Sequence, residues 1–148
     1  MIGAASRSLA TMIERAPSTV WPILHYDDTD AAARFVVEVL GFRESLIARD
    51  DMGGIVHAEL RWPAGGTVLI GSTRHTDGVH GGLRPGASAM YVPTDDVDAV
   101  HQRALEANAE IIAPPHVTRF GSGDDAYAMT VRDPEGYLWT FGTYRGAG

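Results

Sequence analysis

RDPEGYLWTFG, residues 132–142, is close to a second writing of RWPAGGTVLIG, residues 61–71. Arg132, Pro134, Gly136 and Gly142 fall on Arg61, Pro63, Gly65 and Gly71. In both copies x-Pro-x-Gly reads as a tight turn. Proline presets φ, and glycine accepts the left-handed closing position at little cost. The run after each turn, TVLIG or YLWTFG, reads as a strand.

The likeness extends upstream. YDDTDAAARFVVEVLGF (Tyr26–Phe42) and TDDVDAVHQRALEANAE (Thr94–Glu110) place Asp27, Asp28, Asp30 and Ala31 on Asp95, Asp96, Asp98 and Ala99. Aspartates there accept from the orphan N–H groups of a helix N-terminus. Ala32, Phe35, Val36 and Val39 then form one apolar stripe at helical spacing. The first helix is expected to stop at Gly41 and the second near Asn108, residues that tolerate the left-handed C-terminal position. A strand-like run precedes each helix, Val20–Tyr26 and Ser88–Thr94. Three follow it: RESLIAR, GIVHAELRW and TVLIGS in the first half, EIIAPPHV, AYAMTVR and YLWTFGT in the second. The chain therefore predicts an α+β fold of two β-α-β-β-β modules, residues 20–72 and 88–148. A glycine-rich linker, 73–87, joins them, and a loose leader, 1–19, precedes them, with a short helix expected over Ser8–Arg15. Neither half can bury a sheet face alone, so the two should form one compact domain.

Bulk composition bounds the function. In 148 residues, 45% hydrophobic and 21% charged content is that of an ordinary folded domain. A net charge of -7 and the lack of a basic run disfavour a nucleic-acid partner. No apolar run approaches the roughly 18 residues of a membrane span. Residues 1–19 lack the continuous apolar core of a secretory signal. There is no cysteine, which removes disulfides, thiol nucleophiles and Cys-type metal centres and suits a cytoplasmic protein.

Period-two alternation divides the strands into two faces. Val20, Pro22, Leu24 and Tyr26, Val56, Ala58 and Leu60, Val68 and Ile70, Met90 and Val92, Tyr127, Met129 and Val131, and Trp139 and Phe141 form an apolar set expected under the helices. The other set is mixed. It carries Trp21, His25, His57, Glu59, Leu69, Ala89, Tyr91, Thr130 and Thr140, and either lines a ligand cavity or meets solvent.

The paired modules, together with DPEGYLWTFGTY, resemble the vicinal oxygen chelate superfamily of glyoxalases, bleomycin-resistance proteins and dioxygenases, and in particular its PhnB-like branch. The resemblance spans Val20–Tyr144. It implies curled mixed sheets whose helix-free faces form a cleft, the helices lying on the outer side. Metal-dependent relatives carry a His, Gln or Glu early in each module and a Glu in its last strand. The matching positions here are Trp21, Leu69, Ala89 (Ser88 in a shifted register) and Thr140. Trp, Leu and Ala supply no ligand to a divalent ion. The expectation is therefore no metal and no cofactor, which speaks against glyoxalase-type isomerisation or iron-dependent ring cleavage.

On the mixed face His57 and Glu59 lie two apart on one strand, with His25 nearby. The three could be a general base with an orienting carboxylate, a displaced metal site, or solvated side chains. Trp21 and Tyr91 are read as occupying matching places in the two modules, where their rings would stack on a flat ligand. Thr130 and Thr140 complete the lining. Arg61 and Arg132 are expected at the rim, His75 and His80 as loop residues, and His116 at the end of an edge strand. GSGDD (Gly121–Asp125) stands where relatives often carry a lid. The leading expectation is a metal-free protein that binds a small, planar organic molecule. Two alternatives stay open: a lyase, isomerase or dioxygenase using His25, His57 and Glu59, and a dimer that binds no small molecule. A homodimer is expected, because edge strands invite pairing.

Overall fold

The computed structural model describes residues 20–75, 77–119 and 124–146. The expectations for the leader 1–19 and for Gly121–Gly123 fall outside these residues. Strand β1 (Ile23–Tyr26) leads into helix α1 (Thr29–Phe35), whose last turn continues as a π-helical stretch, Val36–Leu40. Strands β2 (Arg43–Arg49), β3 (Ile55–Arg61) and β4 (Thr67–Ser72) follow. The second half repeats the order: β5 (Ala89–Pro93), α2 (Val97–Glu106), β6 (Glu110–Arg119), β7 (Asp125–Arg132) and β8 (Leu138–Gly142). Two four-stranded sheets result, ordered β1-β4-β3-β2 and β5-β8-β7-β6. In each, the first and last strands pair in parallel and the rest are antiparallel. This is the two-module α+β fold that the repeat predicts.

The repeated phrases are the turns before β4 and β8, and they close with the same two bonds. Trp62 N donates to Gly66 O and Gly65 N to Trp62 O; Asp133 N donates to Tyr137 O and Gly136 N to Asp133 O. Gly65 and Gly136 have φ of 123° and 104°, conformations that a side chain would strain. The helix caps also follow the sequence. Asp28 accepts from Ala31 N and Asp96 from Ala99 N. Gly41 closes the π-helical turn at φ 98°, and Asn108 stands just past α2 at φ 55°.

Both sheets turn their apolar faces into one core that also takes up the helices. Trp139, Tyr26, Phe141, Leu60, Ile70 and Met129 are fully buried there. Phe42 ties the modules, its ring centroid 5.1 Å from Trp62 and 5.6 Å from Trp139. A buried polar clasp reinforces the seam. The Asp133 carboxylate accepts from Tyr26 Oη (2.5 Å) and Trp139 Nε1 (3.1 Å), and from the backbone N–H groups of Glu135 and Tyr137. Burial beside that carboxylate pushes the Tyr26 phenol far above its ordinary range.

Three core assignments need correction. Val20 is 83% exposed, because β1 opens only at Ile23 and leaves it ahead of the sheet. Pro22 precedes the strand as well and is only part-buried. At β3 the buried residue is Ile55, not Val56. Ala48 pairs with His57 but Arg49 with Ile55, so Val56 is the extra residue of a β-bulge, and the alternation slips by one. His116 does not end its strand either: β6 runs on to Arg119, and the ring Nδ1 lies 2.8 Å from Pro114 O. Pro114 and Pro115 are tolerated because β6 is an edge strand, broken by register shifts around them.

Candidate functional site

The faces turned away from the core hold the site residues named above. On the first sheet, His25 on β1, Gly71 on β4 and His57 on β3 form one cross-strand row. The neighbouring row is Ile23, Leu69, Glu59 and Leu46. Gly71 is what lets the first row form. A Cβ there would lie 3.2 Å from His25 Nε2 and 3.3 Å from Cδ2, so the imidazole of His25 rests over the bare backbone of β4. His57 Nε2 lies 2.9 Å from Glu59 Oε2, both side chains part-exposed. His25, His57 and Glu59 therefore do come together on one face.

His25 is 8% exposed, and its Nδ1 is the sole buried side-chain polar atom among the described residues without a hydrogen-bond partner. Its backbone is clamped from the other module: Tyr137 Oη donates to His25 O (3.1 Å) and accepts from His25 N (3.3 Å). Burial, helped by the nearby ring of His80, lowers the affinity of His25 for a proton. The two ring centroids are 6.0 Å apart. His80, read from the sequence as a plain loop residue, is thus set against the site by the linker. His75 instead faces Asp50 at 3.9 Å.

The second sheet is organised differently. Tyr91, Thr140 and Thr130 share a row, and the threonine hydroxyls bond each other at 2.7 Å. Tyr91 leans over Gly142, where a Cβ would meet its Oη at 2.8 Å, and donates to Tyr144 O. Burial raises its phenol above the ordinary range. Trp21 and Tyr91 are not equivalent. Ile23 stands opposite Leu69 as Tyr91 stands opposite Thr140, so the counterpart of Tyr91 is Ile23. Trp21 lies ahead of β1 and its counterpart is Ala89. The two rings are alike in type but stand at different places in the register. Both rings are part-exposed, Trp21 by 43% and Tyr91 by 37%.

Three cavities of about 430, 480 and 520 Å³ among the described residues are lined by other side chains. Arg132 is paired with Glu110 at 3.2 Å, and Arg61 is exposed at the end of β3. Among the described residues no group of three His, Cys, Asp or Glu side chains is placed to hold a metal ion. No helix among them is long and apolar enough to cross a membrane.

The fold agrees with comparison to known proteins. The family model for the glyoxalase/bleomycin resistance protein/dioxygenase superfamily matches residues 19–141. The chain belongs to that superfamily. TioX from Micromonospora sp. ML1 is similar at 31% identity and TM-score 0.71, over 86% of this chain and 99% of that one. TnmS3 from Streptomyces sp. CB03234, described as an antibiotic binding protein, shares the fold at 22% identity and TM-score 0.62, over 85% and 95% of the two chains. Lactoylglutathione lyase from Agrobacterium tumefaciens shares it at 22% and 0.59, over 85% and 93%. No curated protein matches the chain.

Proposed function

We propose that this superfamily member is a metal-free, cytoplasmic protein that binds a small, flat organic molecule, in the manner of the bleomycin-resistance proteins. The observation that carries the reading is the first-sheet face. A polar row, His25 and His57 with Glu59 beside it, is flanked by the exposed apolar side chains of Trp21, Ile23 and Leu46. Apolar walls around a few fixed polar groups are the ordinary makeup of a ligand site. The fold shared with an antibiotic binding protein supports the same reading. The closing turn Asp133-Pro134-Glu135-Gly136 is the ground for placing the chain in the PhnB-like branch, and the absence of cysteine suits a reducing compartment.

The cleft is completed by a second copy of the chain. Within one chain the apolar faces of both sheets are committed to the shared core, which leaves the site faces pointing away from it. A homodimer in which the Tyr91 face of one copy covers the His57 face of the other supplies the missing wall.

The test is thermal unfolding in the presence of a panel of flat aromatic antibiotics and metabolites. A ligand that prefers the native state raises the midpoint. Trp21→Ala should then weaken the best hit by about 1–3 kcal/mol, through lost apolar contact and stacking. A panel without a single stabilising compound would leave a dimer that binds no small molecule. The His57–Glu59 pair beside His25 keeps one rival in play, a lyase, isomerase or dioxygenase built on those residues. Stoichiometric zinc, iron or nickel after purification without chelators would favour that rival.

A further inference from the structure

The orphaned nitrogen of His25 specifies more than a binding face, because it fixes which way the hydrogen bonds of the site run. A neutral imidazole has one N–H and one lone pair. Nδ1 of His25 is buried with no acceptor in reach. An N–H there would be a buried donor without a partner, the costlier arrangement. The proton therefore sits on Nε2, the atom that lies over Gly71 on the sheet face. Burial and the ring of His80 keep this imidazole neutral. His57 has the opposite polarity. The Glu59 carboxylate is an acceptor only, so the N–H of the 2.9 Å contact belongs to His57 Nε2, and in the neutral ring Nδ1 is then the acceptor. One row of the sheet thus offers a donor at His25 and an acceptor at His57, on either side of a residue without a side chain.

We infer that the first-sheet face is a donor–acceptor template for a flat aromatic molecule whose edge carries a carbonyl oxygen beside an N–H, as a ring lactam does. The carbonyl accepts from His25 Nε2, the N–H donates to His57 Nδ1, and the ring lies beyond the His25 imidazole, which itself covers Gly71, between the walls of Ile23, Leu46 and Trp21. The inference rests on the binding reading above and names its ligand class. It also assigns Gly71 a role in specificity: any side chain there displaces the His25 ring and removes the donor.

Three probes separate the two hydrogen bonds. 2-Quinolone carries both groups, 1-methyl-2-quinolone the acceptor alone, and indole the donor alone. Affinities are measured by NMR titration of the full chain. 2-Quinolone should bind at least about tenfold more tightly than either single-function probe, a factor worth about 1.4 kcal/mol. His57→Ala should bring its preference over 1-methyl-2-quinolone within about twofold. His25→Phe should do the same for its preference over indole. That variant replaces an unsatisfied buried group with a ring of similar shape, so its thermal midpoint should stay level or rise. A midpoint that falls would mean that His25 is structural, which overturns the assignment. Trp21→Ala should weaken all three probes in proportion. Equal binding of the three probes, or preferences untouched by the histidine variants, refutes the template while leaving the binding reading in place. That reading fails separately, when no member of the wider thermal-shift panel stabilises the chain.

Discussion

His25 is held by its backbone rather than by its ring, and this gives it a legible pH signature. Tyr137 pins both its N–H and its carbonyl, while the imidazole is buried with one nitrogen unpartnered. Its native pKa lies below the ordinary histidine value of 6.5. As pH falls from there toward the native value, the unfolded chain takes up a proton that the folded chain refuses. The unfolded state then binds more protons, so stability rises with pH across that window and is lost as pH drops through it. Denaturant melts of the parent and of His25→Phe at about pH 7.5 and about pH 5.5 check this, since the interval spans an unperturbed histidine. The parent should lose more stability on acidification than the variant; equal losses would exclude His25 as the source. Alternation placed His25, His57 and Glu59 on one face from sequence alone, because same-strand and cross-strand neighbours follow from period two and register. It missed His80 and Tyr137, which reach His25 from the linker and from a turn more than a hundred residues away. No local pattern encodes such contacts.

At the level of elements, helix α1 is held at both ends by the second module. The Glu135 carboxylate accepts from Asp27 N (2.7 Å) and Asp28 N (3.0 Å), just ahead of the helix. At the far end Arg103 of α2 donates to Val39 O (2.9 Å) and Leu40 O (3.2 Å), carbonyls of the helix's last residues, where intrahelical donors run out. Anion at the N-terminus and cation at the C-terminus both match the helix dipole. Hydrogen bonds to charged groups contribute about 1.5–3 kcal/mol each at well-ordered sites. Arg103 is part-buried, and its two carbonyls would be stranded without it, so Arg103→Met should lower the unfolding free energy by about 2 kcal/mol. Glu135→Ala, at an exposed end, should cost about 1 kcal/mol or less. Urea titrations of both variants decide it, and a larger loss at Glu135 would reverse the ranking. The repeat shows why sequence could not supply this. Ala64 stands where Glu135 does and Phe35 where Arg103 does, so the modules share their turns and caps but not their clamps. The bulge at Val56 was equally hidden, because one inserted residue leaves every local propensity unchanged.

At the scale of the whole molecule, the division of labour between the two sheet faces is the basis of the proposed assembly. The first face carries the paired imidazoles and Glu59, and the second carries Tyr91 over Gly142 and the Thr130–Thr140 pair. Since both apolar faces are spent on one core, a single chain presents two unlike outer faces, the two half-sites of the proposed dimer. A second copy related by a two-fold axis can cover the first face of each chain with the second face of the other, an isologous arrangement that closes after two subunits. Light scattering should therefore give twice the chain mass of 15.9 kDa. Complementation tests the pairing itself. A chain altered at Trp21 and His57 has a defective first face, and a chain altered at Tyr91 and Thr140 has a defective second face. Each homodimer then has two damaged sites. Unfolded and refolded together, the two chains form heterodimers in which one site receives both defects and the other receives none. About half of the molecules should be heterodimers when both variants assemble equally well, so ligand binding should return to about one site in four. If the two faces worked within one chain, every site in the mixture would keep its own defect and refolding together would restore nothing. Calorimetric titration of the mixture with the best thermal-shift hit reads the difference directly as a stoichiometry.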